Sequence, residues 1–162
     1  SFLQPSVEGE TALITAILNA LPPGQTRIAD LFSGCGTFSL PLTTLAPVWA
    51  VDGNETALAT LPKLREILVT QRDLFRDPVM AAELKDFSAI VFDPPRAEAS
   101  AQVIEMAASG VPTIIAVSCN PGTFARDAET LINSGYALEW VQPIDQFLWS
   151  GHIELVAKFS LG

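Results

Sequence analysis

A thiol sits in this chain where it could be put to work. Ser118-Cys119-Asn120-Pro121 follows the apolar run from Pro112 to Val117, so Cys119 falls at the carboxyl end of an expected strand. Asn120 and Pro121 fix a turn, and Pro121 suits the first turn of a helix. A cysteine just ahead of a helix N-terminus is placed to react as its thiolate. Far upstream, Asp30-Leu31-Phe32-Ser33-Gly34-Cys35-Gly36 follows another short strand-like run. Gly34 and Gly36 permit a tight turn and close approach of a ligand to the backbone. Asp52 ends the next expected strand, about where an acidic residue of nucleotide-binding α/β folds takes ribose hydroxyls. In an open parallel sheet these positions share the ligand-binding edge. A cofactor turn and a nucleophile on one edge suggest a two-substrate covalent mechanism.

Each element has a plainer reading beside it. A lone GxG is equally a generic tight turn. Ser39 replaces the third glycine of GxGxxG, and no GxxxxGK[ST] occurs, which argues against a P-loop enzyme. Asp93-Pro94-Pro95-Arg96 ends a fourth strand, and its prolines stiffen the chain and withhold two backbone donors. It could be a simple strand-ending turn, but Asp93 would then stand beside the GxG loop on the same edge. His152 and Glu154 open the last strand and, by alternation, share a face. Either could act as acid or base. For His152 a strand-end role is the preferred reading, whereas Glu154 lies in an apolar run and needs a partner or a function. Cys35 reads as a small buried hydrophobe.

Bulk properties bound the answer. The chain has 162 residues, 49% hydrophobic and 17% charged, enough for one domain with a substantial core. No apolar stretch is long enough to span a bilayer, and no charged-then-apolar leader opens the chain. Two cysteines make a poor disulfide framework and no zinc pair. They fit a reducing compartment, so a cytoplasmic location is expected. Ser1 fits a processed product or a piece of something longer. A net charge of −9 argues against this domain alone holding a polyanion. Lys63, Arg65, Arg72 and Arg76 form a modest basic stretch, read first as a solvated surface.

The elements that must position these residues alternate. Apolar spacing predicts a helix over Val7–Leu21, closed by Pro22-Pro23-Gly24. Strands are expected at Arg27–Leu31, Val48–Val51, Ile67–Thr70, Ala89–Phe92 and Ile114–Val117. Helices are expected at Phe38–Leu45, Thr56–Glu66 (interrupted by Pro62), Pro78–Leu84, Ala97–Ala108 and Gly122–Asn133, with Gly135 as the C′ residue of the last. Two strands, Tyr136–Ile144 and His152–Phe159, then follow in succession. Alternation means a parallel sheet with helices on both faces, and the final pair places one antiparallel strand near the C-terminus. The expected fold is α/β, with a mostly parallel seven-stranded sheet.

Together the segments resemble the RNA 5-methyluridine methyltransferases, which use S-adenosylmethionine. The resemblance spans nearly the whole chain: Phe2-Leu3-Gln4, the run from Asp30 to Pro41, Asp93 to Arg96, Ser118 to Asp127, Asp145-Gln146-Phe147 and His152 to Glu154. It implies a Rossmann-like class I methyltransferase domain acting on structured RNA, rRNA or tRNA. It implies that Cys119 adds to carbon 6 of uracil and that Glu154 removes the proton from carbon 5. It places cofactor contacts on Gln4, Phe32, Thr37, Asp52, Asp73 and Asp93, beside Gly34 and Gly36. Thr37 stands where many members have Asn, and Asp52 where many have Glu. Many relatives carry an N-terminal OB-type RNA-binding domain, so residues 1–162 are expected to be a single catalytic domain, monomeric, that needs such a part to hold RNA.

Three rivals remain at this point. An amino-methyltransferase would place an aromatic ring where Arg96 stands, and would leave Cys119 without a role. A cofactor-binding module without catalysis fits the acidic charge but not the presence of both Cys119 and Glu154. A thiol hydrolase using Cys119 and His152 leaves the GxG loop unexplained.

Overall fold

Short aliphatic and β-branched runs, each ended by a turn former, assemble into a seven-stranded sheet of order β3-β2-β1-β4-β5-β7-β6. The computed structural model describes residues 7–95, 99–145 and 153–162. Strands β1 (Ile28–Leu31), β2 (Val48–Asp52), β3 (Ile67–Gln71), β4 (Ala89–Phe92) and β5 (Thr113–Ser118) run parallel. β1, β4 and β5 are buried along their whole length. This is the continuous apolar pattern of strands covered on both faces. β7 (Ile153–Leu161) lies between β5 and β6 (Tyr136–Asp145) and is antiparallel to both. Among the described residues it is therefore the one reversed strand, as the order of the last two runs implied.

Two cores flank the sheet. On one face Leu13 and Ile17 of α1 (Val7–Ala20), Leu42 of α2 (Ser39–Leu42) and Leu58 of α3 (Glu55–Ala59) pack on Ile28, Ala50, Val91, Val117 and Val156. On the other, Leu84 of α4 (Ala81–Leu84), Met106 of α5 (Ser100–Ala108) and Leu131 of α6 (Pro121–Asn133) pack on Leu31, Val51, Phe92, Ala116 and Phe159. Among the described residues no helix is long and apolar enough to cross a membrane.

Several helices are shorter than the sequence pattern suggests, for local reasons. α3 stops at Ala59, ahead of Pro62. α4 begins at Ala81 rather than Pro78 because the Val79 backbone bonds to the side chain of Gln102. Its N–H donates to Oε1 at 2.8 Å, and its carbonyl accepts from Nε2 at 3.0 Å. α2 is closed by Thr43 and Thr44, whose hydroxyls donate to the Leu40 and Pro41 carbonyls. α6 ends as expected at Gly135, which has φ +106° and donates its N–H to the Ile132 carbonyl.

Candidate active site

Side-chain alternation brings distant residues to one face of the sheet. Asp30 pairs with Ala50 on one side and Val91 on the other. Asp52 and Asp93 lie two residues beyond those partners, so all three carboxylates share a face. Val117 and Val156 belong to the same core as Ala50 and Val91. Cys119 and Glu154 follow the same parity. A crevice of about 630 Å³ opens where these strands end, lined by Asp52, Asp73, Asp93, Cys119 and Glu154 with Phe32, Gly34 and Phe75. That volume is in the range of a cofactor site.

The glycine turn is held by backbone and carboxylate. Ser33 donates its N–H to the Val51 carbonyl at 3.1 Å, and Gly36 donates to the Ser33 carbonyl at 3.0 Å. Gly34 donates to Oδ2 of Asp52 at 2.9 Å, while Oδ1 of Asp52 accepts from the Asn54 N–H at 2.7 Å. The turn needs left-handed backbone at Gly34 (φ +55°) and Gly36 (φ +89°). Phe32 is also left-handed (φ 62°), a strained state for an aromatic residue. Its ring is pinned against Phe75 and Phe92, with centroids 5.2 and 5.7 Å away. Strain of this kind collects at ligand sites.

Gly36 and Thr37 are not among the crevice-lining residues. Gly36 instead abuts Leu61, whose Cδ2 would lie 2.1 Å from a Cβ at this position. Its place is to let the turn pack on the core. Cys35, expected to be buried, is exposed. The tight turn carries it outward, with Sγ 3.7 Å from the Thr37 hydroxyl. Asp73 lines the crevice and accepts the Phe75 N–H at 3.0 Å. Gln4, Arg96 and His152 lie outside the described residues.

Cys119 is exposed at the end of β5. The turn after it is fully determined. Asn120 caps α6, with its Oδ1 accepting from the N–H groups of Gly122 (2.9 Å) and Thr123 (3.3 Å). The Asn120 N–H donates to Ser118 Oγ, whose hydroxyl donates to the Asn120 carbonyl. On β7 stands Glu154. The β5–β7 pairing runs from Thr113↔Ser160 to Ser118↔Leu155, so Cys119 and Glu154 each lie one position beyond its last pair, and both line the crevice.

Beneath the crevice lies a group that the motif reading passed over. Asp30 is completely buried, and its Oδ2 accepts from Ser39 Oγ at 2.5 Å. Burial pushes its carboxyl up to about 7 despite that hydrogen bond, and Asp52 adds to the rise. Asp93 is also held well above the usual carboxylate range, by burial first and then by Glu154 and Asp30. The signal in sequence was an acid inside the apolar run from Ile28 to Leu31, which requires a partner or a function. The basic stretch shows no comparable convergence. Arg72 is engaged by Glu83 at 2.9 Å and by Asp77 at 3.2 Å.

The profile of the tRNA (uracil-5-)-methyltransferase family matches residues 57–158. An uncharacterised RNA methyltransferase of Brucella melitensis is 45% identical over 168 residues, covering 99% of this chain and 40% of that protein. The 23S rRNA (uracil(1939)-C(5))-methyltransferase RlmD of Pseudomonas syringae pv. tomato is 36% identical, covering 99% and 38%. The crystal structure of Pyrococcus abyssi tRNA (uracil-54, C5)-methyltransferase, in complex with S-adenosyl-L-homocysteine, superposes with a TM-score of 0.80 at 27% identity, covering 98% of this chain and 40% of that one. The chain thus spans about two fifths of the length of these relatives. With a matched profile over most of its length and the fold to go with it, this chain belongs to the tRNA (uracil-5-)-methyltransferase family.

Proposed function

We propose that this chain is the methyl-transfer domain of an S-adenosylmethionine-dependent RNA (uracil-5-)-methyltransferase that works through a covalent adduct on Cys119. The observation that supports the reading is that Cys119 and Glu154, each one position beyond the last β5–β7 pair, line one crevice.

The residues present fit the cofactor. Asp52 ends β2 with a carboxylate suited to ribose hydroxyls, and the Gly34 turn, where a Cβ would meet nothing within 4 Å, leaves room for close approach. Phe32 and Phe75 offer apolar surface for a base, and Asp73 and Asp93 offer acceptors for polar and cationic groups. Gln4 completes the proposed contact set. When bound, S-adenosylmethionine supplies the methyl group, carried on a sulfonium, that carbon 5 of the uracil accepts.

The chain's own residues perform the rest. Carbon 5 of uracil is a poor nucleophile. The Cys119 thiolate forms a bond to carbon 6, and the electron pair displaced from the ring double bond makes carbon 5 nucleophilic. Once carbon 5 bears both the methyl group and its original proton, Glu154 removes that proton. The electrons of the broken C–H bond reform the ring double bond, and the C6–S bond breaks to return the thiolate. The target base must leave its stack to reach Cys119.

RNA, rRNA or tRNA, is held in part by residues outside this chain. A net charge of −9 repels phosphate, and the relatives are more than twice as long. These residues are proposed as one domain of a longer protein with a separate RNA-binding part.

The test is mass spectrometry of the protein mixed with S-adenosylmethionine and a short RNA containing 5-fluorouridine, at concentrations high enough to offset weak RNA binding. Fluorine at carbon 5 cannot leave as a proton does, so a protein–RNA adduct should accumulate on Cys119. An unmodified Cys119 in protein that still binds S-adenosylhomocysteine would overturn the covalent mechanism.

A further inference from the structure

The carboxylates around this crevice are more numerous than ribose binding and proton removal require. Asp52, Asp73, Asp93 and Glu154 line it, and no lysine or arginine is among its described lining residues. Asp30 lies below, fully buried, on the same face as Asp52 and Asp93. Ser39 satisfies only its Oδ2, and Oδ1 accepts no hydrogen bond among the described residues. A buried ionised carboxylate with one oxygen unpartnered is costly unless a cation comes close.

The neighbours of Asp30 make the same demand. β2 brings Asp52, β4 brings Asp93, and beyond them β5 and β7 bring Cys119 and Glu154. α2 brings Ser39 and has no titratable side chain. The acids of α1, Glu8 and Glu10, are exposed in its first turn, and Glu55 is exposed at the start of α3. No described group facing Asp30 is cationic. The countercharge must come from the ligand or from a proton.

The methyl donor and its product differ in that respect. S-adenosylmethionine carries a sulfonium, an ammonium and a carboxylate, a net charge of +1. S-adenosylhomocysteine has lost the sulfonium charge and is net neutral. We propose that Asp30 determines the preference of this site for cofactor over product. It gives its proton to solvent when the cationic cofactor enters and takes one back from solvent when the neutral product is left. Each step conserves charge, since the proton leaves as the cation arrives and returns when it is gone. The exchange makes the spent cofactor easier to release, because the proton that returns to Asp30 neutralises the site without it. The value of about 7 for Asp30 puts the exchange near neutrality. The inference rests on the methyltransferase reading of the crevice.

The test is isothermal titration calorimetry from about pH 6 to about pH 8, in two buffers of different ionisation enthalpy. Ligands are S-adenosylmethionine and S-adenosylhomocysteine. Because the ligand's own amine also titrates, wild type is compared with Asp30→Asn for each ligand. S-adenosylmethionine should release up to one proton more from wild type than from Asp30→Asn, and S-adenosylhomocysteine should show no such excess. Below the Asp30 value, the wild-type preference for S-adenosylmethionine should strengthen with pH by up to about tenfold per unit, the limit for one linked proton. Ser39→Ala is a second variant, should Asp30→Asn fold poorly. Loss of the hydroxyl donor raises Asp30 further and should move the release to higher pH. Equal proton release by wild type and Asp30→Asn, or a Ser39→Ala profile unmoved from wild type, overturns the proposal while leaving the methyltransferase reading intact. Binding of neither ligand overturns both.

Discussion

Cys119 and Glu154 stand one register step past the end of the β5–β7 ladder, whose last pair is Ser118↔Leu155. Thirty-five positions apart in the chain, they line one crevice because β7 runs antiparallel to β5. This shared lining is what the proposed pairing of nucleophile and proton acceptor rests on.

The two residues should fail differently. Cys119→Ala should abolish methylation and adduct formation together, because no other group activates carbon 5. Glu154→Gln keeps the size and a hydrogen bond but cannot take a proton. With RNA and S-adenosylmethionine it should accumulate a methylated protein–RNA adduct that survives a denaturing gel. Normal turnover by Glu154→Gln would move the base elsewhere, and methylation by Cys119→Ala would end the covalent mechanism.

Asp52 holds the turn and is the proposed ribose acceptor, so its loss should show twice. Asp52→Ala removes the proposed ribose acceptor and leaves the N–H groups of Gly34 and Asn54 without their partner. S-adenosylhomocysteine binding should weaken by about 1–3 kcal/mol in calorimetry, and the melting temperature should fall as well. Unchanged affinity would show that Asp52 serves only the turn.

The two glycines of the turn should differ in cost. Gly34→Ala meets no neighbour and carries only the left-handed backbone penalty, roughly 1–2 kcal/mol. Gly36→Ala adds a collision with Leu61, which is only 6% exposed and must repack, for a total of roughly 2–4 kcal/mol. Urea unfolding should rank them in that order. A Gly36→Ala protein as stable as Gly34→Ala would mean that the turn and Leu61 separate freely.

Asp30 should make stability depend on pH in an unusual direction. Its carboxyl rises from 3.8 to about 7 on burial, so the folded state holds a proton that the unfolded chain releases. The stabilisation is complete below 3.8 and is lost as pH rises through about 7, an effect of about 4 kcal/mol. Asp30→Asn carries no such charge. Its stability relative to wild type, measured by thermal unfolding without ligand, should therefore increase between about pH 4 and about pH 8. A difference that stays flat across that range would place the Asp30 titration outside it.

Much of this protein can be read from the chain itself. Apolar runs ended by Asp52 or by Asp93-Pro94-Pro95 mark strands because a strand covered on both faces must be apolar throughout and needs a turn to leave the sheet. Strict alternation of these runs with helices imposes a parallel sheet, since parallel strands need a crossover. The Gly34–Gly36 turn and the Asn120-Pro121 helix start are equally local, and local chemistry is what sequence encodes most directly. Three things were settled only in the folded molecule. The register of β7 depends on packing against both β5 and β6, and a slip of one residue would turn Glu154 to the opposite face. The position of Gly36 against Leu61 and the exposure of Cys35 follow from how the turn docks on the core. The state of Asp30 depends on burial under α2 and on the Asp52 carboxylate brought by β2, because desolvation and charge proximity arise only when distant segments meet.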